Sequence, residues 1–247
     1  MKSIILAAGY ATRLYPLTQN FPKPLLKVQG VTILDRLLKE LDAVPEITEH
    51  IIISNHKFIS IFKDWKAECG KAAAYTKKIT LLDDGSTDNE HRLGAVKDIL
   101  FAVTSCHIQD DIFVLAGDNV LDFALAPFVR YYIEKNSTVI MRHEQNDITK
   151  LRKTGVIEID ADDTVLSMQE KPAEPKSHWA VPPFYIYPAA VLPELQKGID
   201  AGCATDAPGD FIAWFCSTHT VHAWRMTGKR YDVGDVASYN AVQNVQL

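Results

Sequence analysis

The chain has 247 residues, 47 % of them apolar, with a formal net charge of −5. That is enough chain for one α/β domain with a full core, and net acidity without a basic cluster excludes general nucleic-acid binding. Cys69, Cys106, Cys203 and Cys216 are widely spaced with no Cys-x-x-Cys, as in the reduced interior of a cytoplasmic protein, and neither a signal-peptide pattern nor an apolar run near the ~18 residues of a membrane span is present.

Residues 3–8 are a short isoleucine-rich apolar run and read as a buried strand. It leads into a turn of small residues, with Leu6, Ala7, Ala8, Gly9, Tyr10, Ala11 and Thr12 in sequence. Small side chains there let backbone N–H groups approach an anion. Arg13 and Lys23 follow on a loop stiffened by Pro16, Pro22 and Pro24. Arg13 can grip phosphate oxygens with a planar fork, and Lys23 can act as a mobile point charge. A plain tight turn with two solvated cations is the alternative. The string is not Gly-x-Gly-x-x-Gly, because Leu14 stands at the third glycine position, and it lacks the Gly-Lys-Ser/Thr of a Walker loop.

Ile33, Leu34, Leu37, Leu38 and Leu41 recur at helical spacing after Thr32. Strands are expected over 50–54, 79–82 and 112–116, with helices carrying Phe58, Phe62 and Trp65 and spanning 95–103. This β-α-β-α order implies a parallel sheet with helices on both faces. Beyond it, 155–160 and 165–170 flank Ala161-Asp162-Asp163 as a hairpin. Residues 180–187 form one strand around Pro182-Pro183, helices cover 189–196 and 208–215, a strand covers 219–226, and a helix covers 236–245. With no Gly/Ser linker, 1–247 reads as one domain. Residues 1–120 are its nucleotide-binding half and 121–247 supply the far wall of a cleft.

Asp118 follows an apolar strand at Gly117-Asp118-Asn119, where ligand groups sit in open α/β sheets. A carboxylate there suits Mg²⁺. Leu6 to Leu14 and Pro22 to Leu25 resemble the signature of the sugar-nucleotide pyrophosphorylases (sugar-1-phosphate nucleotidyltransferases), with Ala11 where the family has a second glycine. Ala11 fits if that position needs only a small side chain, and that is the expectation. The resemblance implies a Rossmann-like three-layer sandwich around a mostly parallel sheet. It also implies nucleotidylyl transfer from an NTP to a sugar 1-phosphate, with Mg²⁺ as cofactor.

By that resemblance Arg13, Lys23 and Asp118 are catalytic. Asp118 and Asp232 hold the metal, the second through Tyr231-Asp232-Val233-Gly234, a loose match. Glu170-Lys171-Pro172 matches the segment whose lysine holds the sugar phosphate. Glu170 accepts sugar hydroxyls, Gly155 lets the sugar lie on backbone, and Tyr185 packs on it. Gly94, in Leu93-Gly94-Ala95, lies against the base, with Asn89 and Arg92 as the candidates that read its edge. No long C-terminal extension is visible, so an added regulatory or acyltransferase domain is not expected; a homo-oligomer stays open. Leu82-Asp83-Asp84-Gly85-Ser86-Thr87-Asp88 resembles a glycosyltransferase string but is also a natural turn. Alternatives are a cytidylyltransferase acting on a non-sugar head-group phosphate, a glycosyltransferase, or a silent nucleotide- or sugar-sensing relative.

Overall fold

The computed structural model describes residues 1–71 and 74–246. Ile4 and Ile5 are fully buried in β1 (Lys2–Leu6). β2 (Lys27–Val28) and β3 (Val31–Thr32) pair as a small hairpin. Thr32 then caps α1 (Ile33–Asp42), its Oγ1 accepting from Asp35 N at 2.9 Å. The five apolar residues expected on one face of this helix are all buried. β4 (Glu49–Ser54), α2 (Ile59–Lys71), β5 (Lys78–Asp83), α3 (Ala95–Ser105) and β6 (Ile112–Ala116) follow at the expected places. β7 (Asn119–Leu121), α4 (Ala126–Lys135), β8 (Thr138–Glu144) and α5 (Ile148–Leu151) occupy a stretch for which the sequence predicted no element.

β9 (Gly155–Ile159) and β10 (Val165–Glu170) form the predicted hairpin. The single strand expected over 180–187 is two strands, β11 (Trp179–Val181) and β12 (Phe184–Tyr187). Pro182 and Pro183 offer no N–H to a ladder, and the chain changes partners across them. β11 pairs with β9 and β8, while β12 pairs with β6 and β8. α6 (Leu192–Asp200), α7 (Gly209–Phe215), β13 (Val221–Arg225), β14 (Arg230–Asp232) and α8 (Val236–Val242) complete the chain.

The chain groups into two units. The first comprises Met1–Arg92, Ala116–Ala126 and Thr227–Leu247. In it β1, β4 and β5 run parallel, with Ile4 opposite Ile51 and Ile51 opposite Thr80. A separate antiparallel pair, β7 with β14, sets Asn119 opposite Asp232. Leu14, Leu26, Val28, Ile33, Val120, Val233 and Val242 form one apolar cluster, so the signature loop, α1 and the C-terminal helix share a core. The second unit comprises Leu93–Leu115 and Pro127–Met226. Its β12 lies antiparallel between β6 and β8, and β13 runs parallel to β8. The mixed α/β class, parallel through β1, β4 and β5, is the one the β-α-β-α order predicts. Among the described residues, no helix is long and apolar enough to cross a membrane.

Candidate active site

The signature loop leaves β1 and is tied down at once. Ala7 N donates to Ile53 O at 2.9 Å, and Asn55, fully buried after β4, donates from Nδ2 to Ala8 O at 2.9 Å. Asn55 Oδ1 also accepts from Phe58 N at 3.0 Å, so one amide links the loop to the approach to α2. Tyr10 is buried against Phe58, and its hydroxyl donates to Ser86 O at 2.9 Å. Gly9, Thr12 and Arg13 remain exposed.

Ala11 departs from expectation. It has φ 48° and ψ 43°, the left-handed region, so the position asks for more than a small side chain. Alanine holds this conformation against a steric cost that glycine lacks. The fold supports it with two bonds to its carbonyl: Leu14 N at 2.9 Å and Thr18 Oγ1 at 2.8 Å.

The charged centre of the first unit is built on three short segments. Lys23 sits between Pro22 and Pro24 in a single 3-10 turn, its side chain only 9 % exposed. Its Nζ donates to Asp118 Oδ2 at 2.6 Å and lies 3.8 Å from Asp232 Oδ1. Asn119 donates from Nδ2 to Asp118 Oδ1 at 2.9 Å and accepts from Arg230 at 2.6 Å. The Arg230 guanidinium is 3.9 Å from Asp232. Burial alone would raise the Asp118 carboxyl, but Lys23, by charge and hydrogen bond, and Arg230 outweigh it and hold the group below the usual carboxylate range. The Arg13 guanidinium lies against Gly234, where a built Cβ would stand 3.8 Å from it. Asp235, held low in pKa chiefly by the Ser238 backbone N–H and hydroxyl, also feels the Arg13 charge. The β7–β14 pair thus carries Asp232 to Asp118 and Lys23, and the turn after it meets Arg13.

Two carboxylates converging on one cation are a fitting donor set for a hard divalent ion, which prefers a few carboxylates and completes its shell with phosphates and water. Asp118 and Asp232 keep side-chain exposures of 34 % and 51 %, so both can reach such an ion. Asn119 and Arg230, to which the sequence assigned no role, supply the framework around them; the signal for Arg230 was its place in Arg230-Tyr231-Asp232.

The acidic string after β5 is a turn. Asp83 Oδ1 accepts from Gly85 N at 2.9 Å, and Asp83 Oδ2 pairs with His56 at 2.7 Å. Asp84 accepts from Ser86 N and Oγ, both at 2.7 Å. Asn89 and Arg92 are exposed and bond each other, Arg92 donating to Asn89 Oδ1 at 2.9 Å.

The second unit carries its own polar cluster. Gly94 opens α3 with φ 91°, and a Cβ on it would stand 2.5 Å from Thr205 O. The first N–H groups of that helix are taken by carbonyls, Ala95 N by Asp206 O at 3.2 Å and Val96 N by Thr205 O at 3.1 Å. Glu170, at the end of β10, faces Gly155 across the β9 ladder. Burial raises its carboxyl to about 7; Lys171 opposes this, and Asp210 and Asp206 add to it. Lys171 adopts φ 46° and places Nζ 3.7 Å from Asp206 Oδ2. Tyr185, expected to pack on a substrate, is instead a core residue. It is 2 % exposed on the central strand β12, its ring parallel to that of Tyr187.

Charged residues gathered where strands end, on an α/β scaffold with a turn of small residues after its first strand, are the arrangement of a nucleotide-binding class of protein. The chain belongs to the nucleotidyl transferase family, whose model matches residues 2–246. It is 32 % identical over 180 residues to the "Bifunctional protein GlmU" of Methanococcus aeolicus, covering 72 % of this chain and 38 % of that protein. It is 28 % identical to the UTP–glucose-1-phosphate uridylyltransferase of Synechocystis, covering 100 % of this chain and 66 % of that protein. A UDP-glucose pyrophosphorylase structure complexed with UDP-glucose has the same fold, with a TM-score of 0.80 at 19 % identity over 98 % of this chain and 97 % of that one. The first curated relatives are longer than this chain, which spans 38 %, 59 % and 51 % of their lengths.

Proposed function

We propose that the chain transfers the nucleotidyl group of an NTP to a sugar 1-phosphate, giving an NDP-sugar and pyrophosphate. The observation that carries this reading is the convergence of Lys23, Asp118 and Asp232 behind the signature loop. The names of the relatives, a glucose-1-phosphate adenylyltransferase and a uridylyltransferase among them, agree with it.

An oxygen of the acceptor phosphate attacks the α-phosphorus in line, and the bond from that phosphorus to the bridging oxygen of pyrophosphate breaks. The attacking oxygen is already ionised, so no strong general base is needed. The barrier lies in bringing two polyanions together, which charge neutralisation and positioning lower. Asp118 and Asp232 would hold a divalent ion, Mg²⁺ by the hardness of their oxygens, and its chemistry is to neutralise phosphate charge. Lys23 exchanges its carboxylate partners for the α-phosphate. Arg13 and the N–H groups of 9–12 receive the departing pyrophosphate. Asn89 and Arg92 read the base, with Gly94 in the same segment. Lys171 takes the acceptor phosphate in place of Asp206, Glu170 accepts an acceptor hydroxyl, and Gly155 leaves room beside it.

A matrix of NTPs against sugar 1-phosphates and head-group phosphates, with Mg²⁺ and read by pyrophosphate release, tests the proposal. At least one sugar 1-phosphate pair should release pyrophosphate. Release only with a head-group phosphate would replace the sugar reading, and release with no pair would end the enzymatic one.

A further inference from the structure

The Glu170 carboxylate is packed against two glycines from different elements. A Cβ built on Gly209, the first residue of α7, would stand 2.2 Å from Glu170 Oε2 and 3.3 Å from its Cδ. A Cβ on Gly155 would stand 3.1 Å from the same oxygen. Met168 Cε, on the same strand as Glu170, would be 2.7 Å and 2.6 Å from those two positions, so the methionine closes the remaining space. Close-packed interiors do not absorb an added methyl at such distances without moving a neighbour. The start of α7 is not free to move: Asp210 Oδ2 accepts from Ala207 N at 2.8 Å, and Phe211 and Phe215 are buried in the core.

We propose that Gly209 is a positioning residue for Glu170: its bare backbone fixes where the carboxylate stands and so which acceptor hydroxyl that carboxylate can meet. The proposal rests on the reading above that Glu170 faces the acceptor. It concerns a residue far in sequence from the Glu-Lys-Pro segment, and the steric fit alone picks it out. The charges that act on the carboxylate are Lys171, next in the chain after β10, Asp206 from the loop before α7 and Asp210 from α7. A carboxylate pushed aside by a methyl at 209 would meet a different balance of these three.

The test is a double-mutant cycle of Gly209→Ala and Glu170→Asp, read in two ways. In turnover, Gly209→Ala should raise the acceptor KM at least about 10-fold while the NTP KM stays within about twofold. Glu170→Asp withdraws the carboxylate by one methylene and leaves space into which the flexible Met168 Cε can shift, so that the added methyl is admitted. The double variant should therefore bind acceptor no worse than Glu170→Asp alone. Independently of turnover, ¹³C NMR should show the Glu170 carboxyl titrating at a different midpoint in Gly209→Ala. An unchanged acceptor KM and midpoint in Gly209→Ala, or a double variant worse than Glu170→Asp alone, would overturn the proposal. If wild-type protein turns over no acceptor, the activity reading falls and the NMR midpoints still decide this one. If Gly209→Ala does not fold, the comparison of the double variant with Glu170→Asp decides it.

Discussion

Lys23 and Asp118, 95 residues apart, meet directly in the charged centre, with Nζ donating to Oδ2 at 2.6 Å. An ammonium buried to this degree persists only with carboxylate partners, and Asp232 at 3.8 Å is the second. The same two carboxylates are the donors proposed for a divalent ion, and Lys23 and that ion would then share one source of negative charge. Any substrate phosphate entering there meets a cation already in place.

Asp118→Ala is expected to lower kcat by at least about 100-fold, the scale of losing one transition-state contact. It also leaves Lys23 with Asp232 as its remaining carboxylate and should cost about 2 kcal/mol of stability, below the range for a fully buried pair because Asp118 is one-third exposed. Steady-state kinetics and urea unfolding check the two effects separately. Near-wild-type turnover would remove Asp118 from the chemistry.

Glu170 gives a pH dependence of definite sign. Its folded carboxyl titrates at about 7, above the ordinary 4.5. Between those values the unfolded chain has released a proton that the folded chain retains, so stability falls as pH rises from about 4.5 through about 7 and then levels. Glu170→Gln should lack this component of the slope. Urea midpoints from pH 4.5 to 8 compare the two proteins, and parallel curves would contradict the assignment. If Glu170 accepts a hydroxyl as the carboxylate, acceptor KM should fall over the same window as pH rises.

Ala11→Gly should stabilise the protein by about 0.5–1 kcal/mol. Relief of the left-handed strain exceeds the extra backbone entropy of glycine in the unfolded chain. For a chain of this size that is a rise in Tm of roughly 2–4 °C per kcal/mol. A fall in Tm would mean that the conformation at φ 48° is not what limits this loop.

Asn55→Ala removes the donor to Ala8 O and the acceptor for Phe58 N at a fully buried site. Unsatisfied buried backbone groups make the expected loss about 2–3 kcal/mol. Because Ala8 belongs to the signature loop, NTP KM should rise as well. A stable variant with unchanged NTP KM would show that the loop holds its shape without this amide.

Much of the fold was legible because its signals are local. Ile4, Ile5 and the run 112–116 are apolar and short, and the leucines of α1 keep helical spacing behind a threonine cap. β8 was not legible. Its apolar run is only Val139 to Met141, followed by Arg142, buried by bonding Ala223 O at 3.0 Å and Asp163. β7 and β14 have three residues each and exist only as a pair, so neither carries a pattern of its own. In the site, Lys23, Asp118 and Asp232 could be named from their segments, since each lies beside a turn or a strand end. The role of Asn55 was not legible, because its two bonds reach 47 residues back and 3 forward. The conformation of Ala11 could not be read from its small side chain, and the burial of Tyr185 follows from strand neighbours 71 and 45 positions away.

The most direct test follows the α-phosphorus. With α-labelled NTP, a sugar 1-phosphate and Mg²⁺, the account predicts label in an NDP-sugar with one pyrophosphate released per product. That product should fall at least about 100-fold in Arg13→Ala and Asp118→Ala. Label recovered only as free NMP or NDP, or an NDP-sugar yield that either substitution leaves untouched, would contradict it.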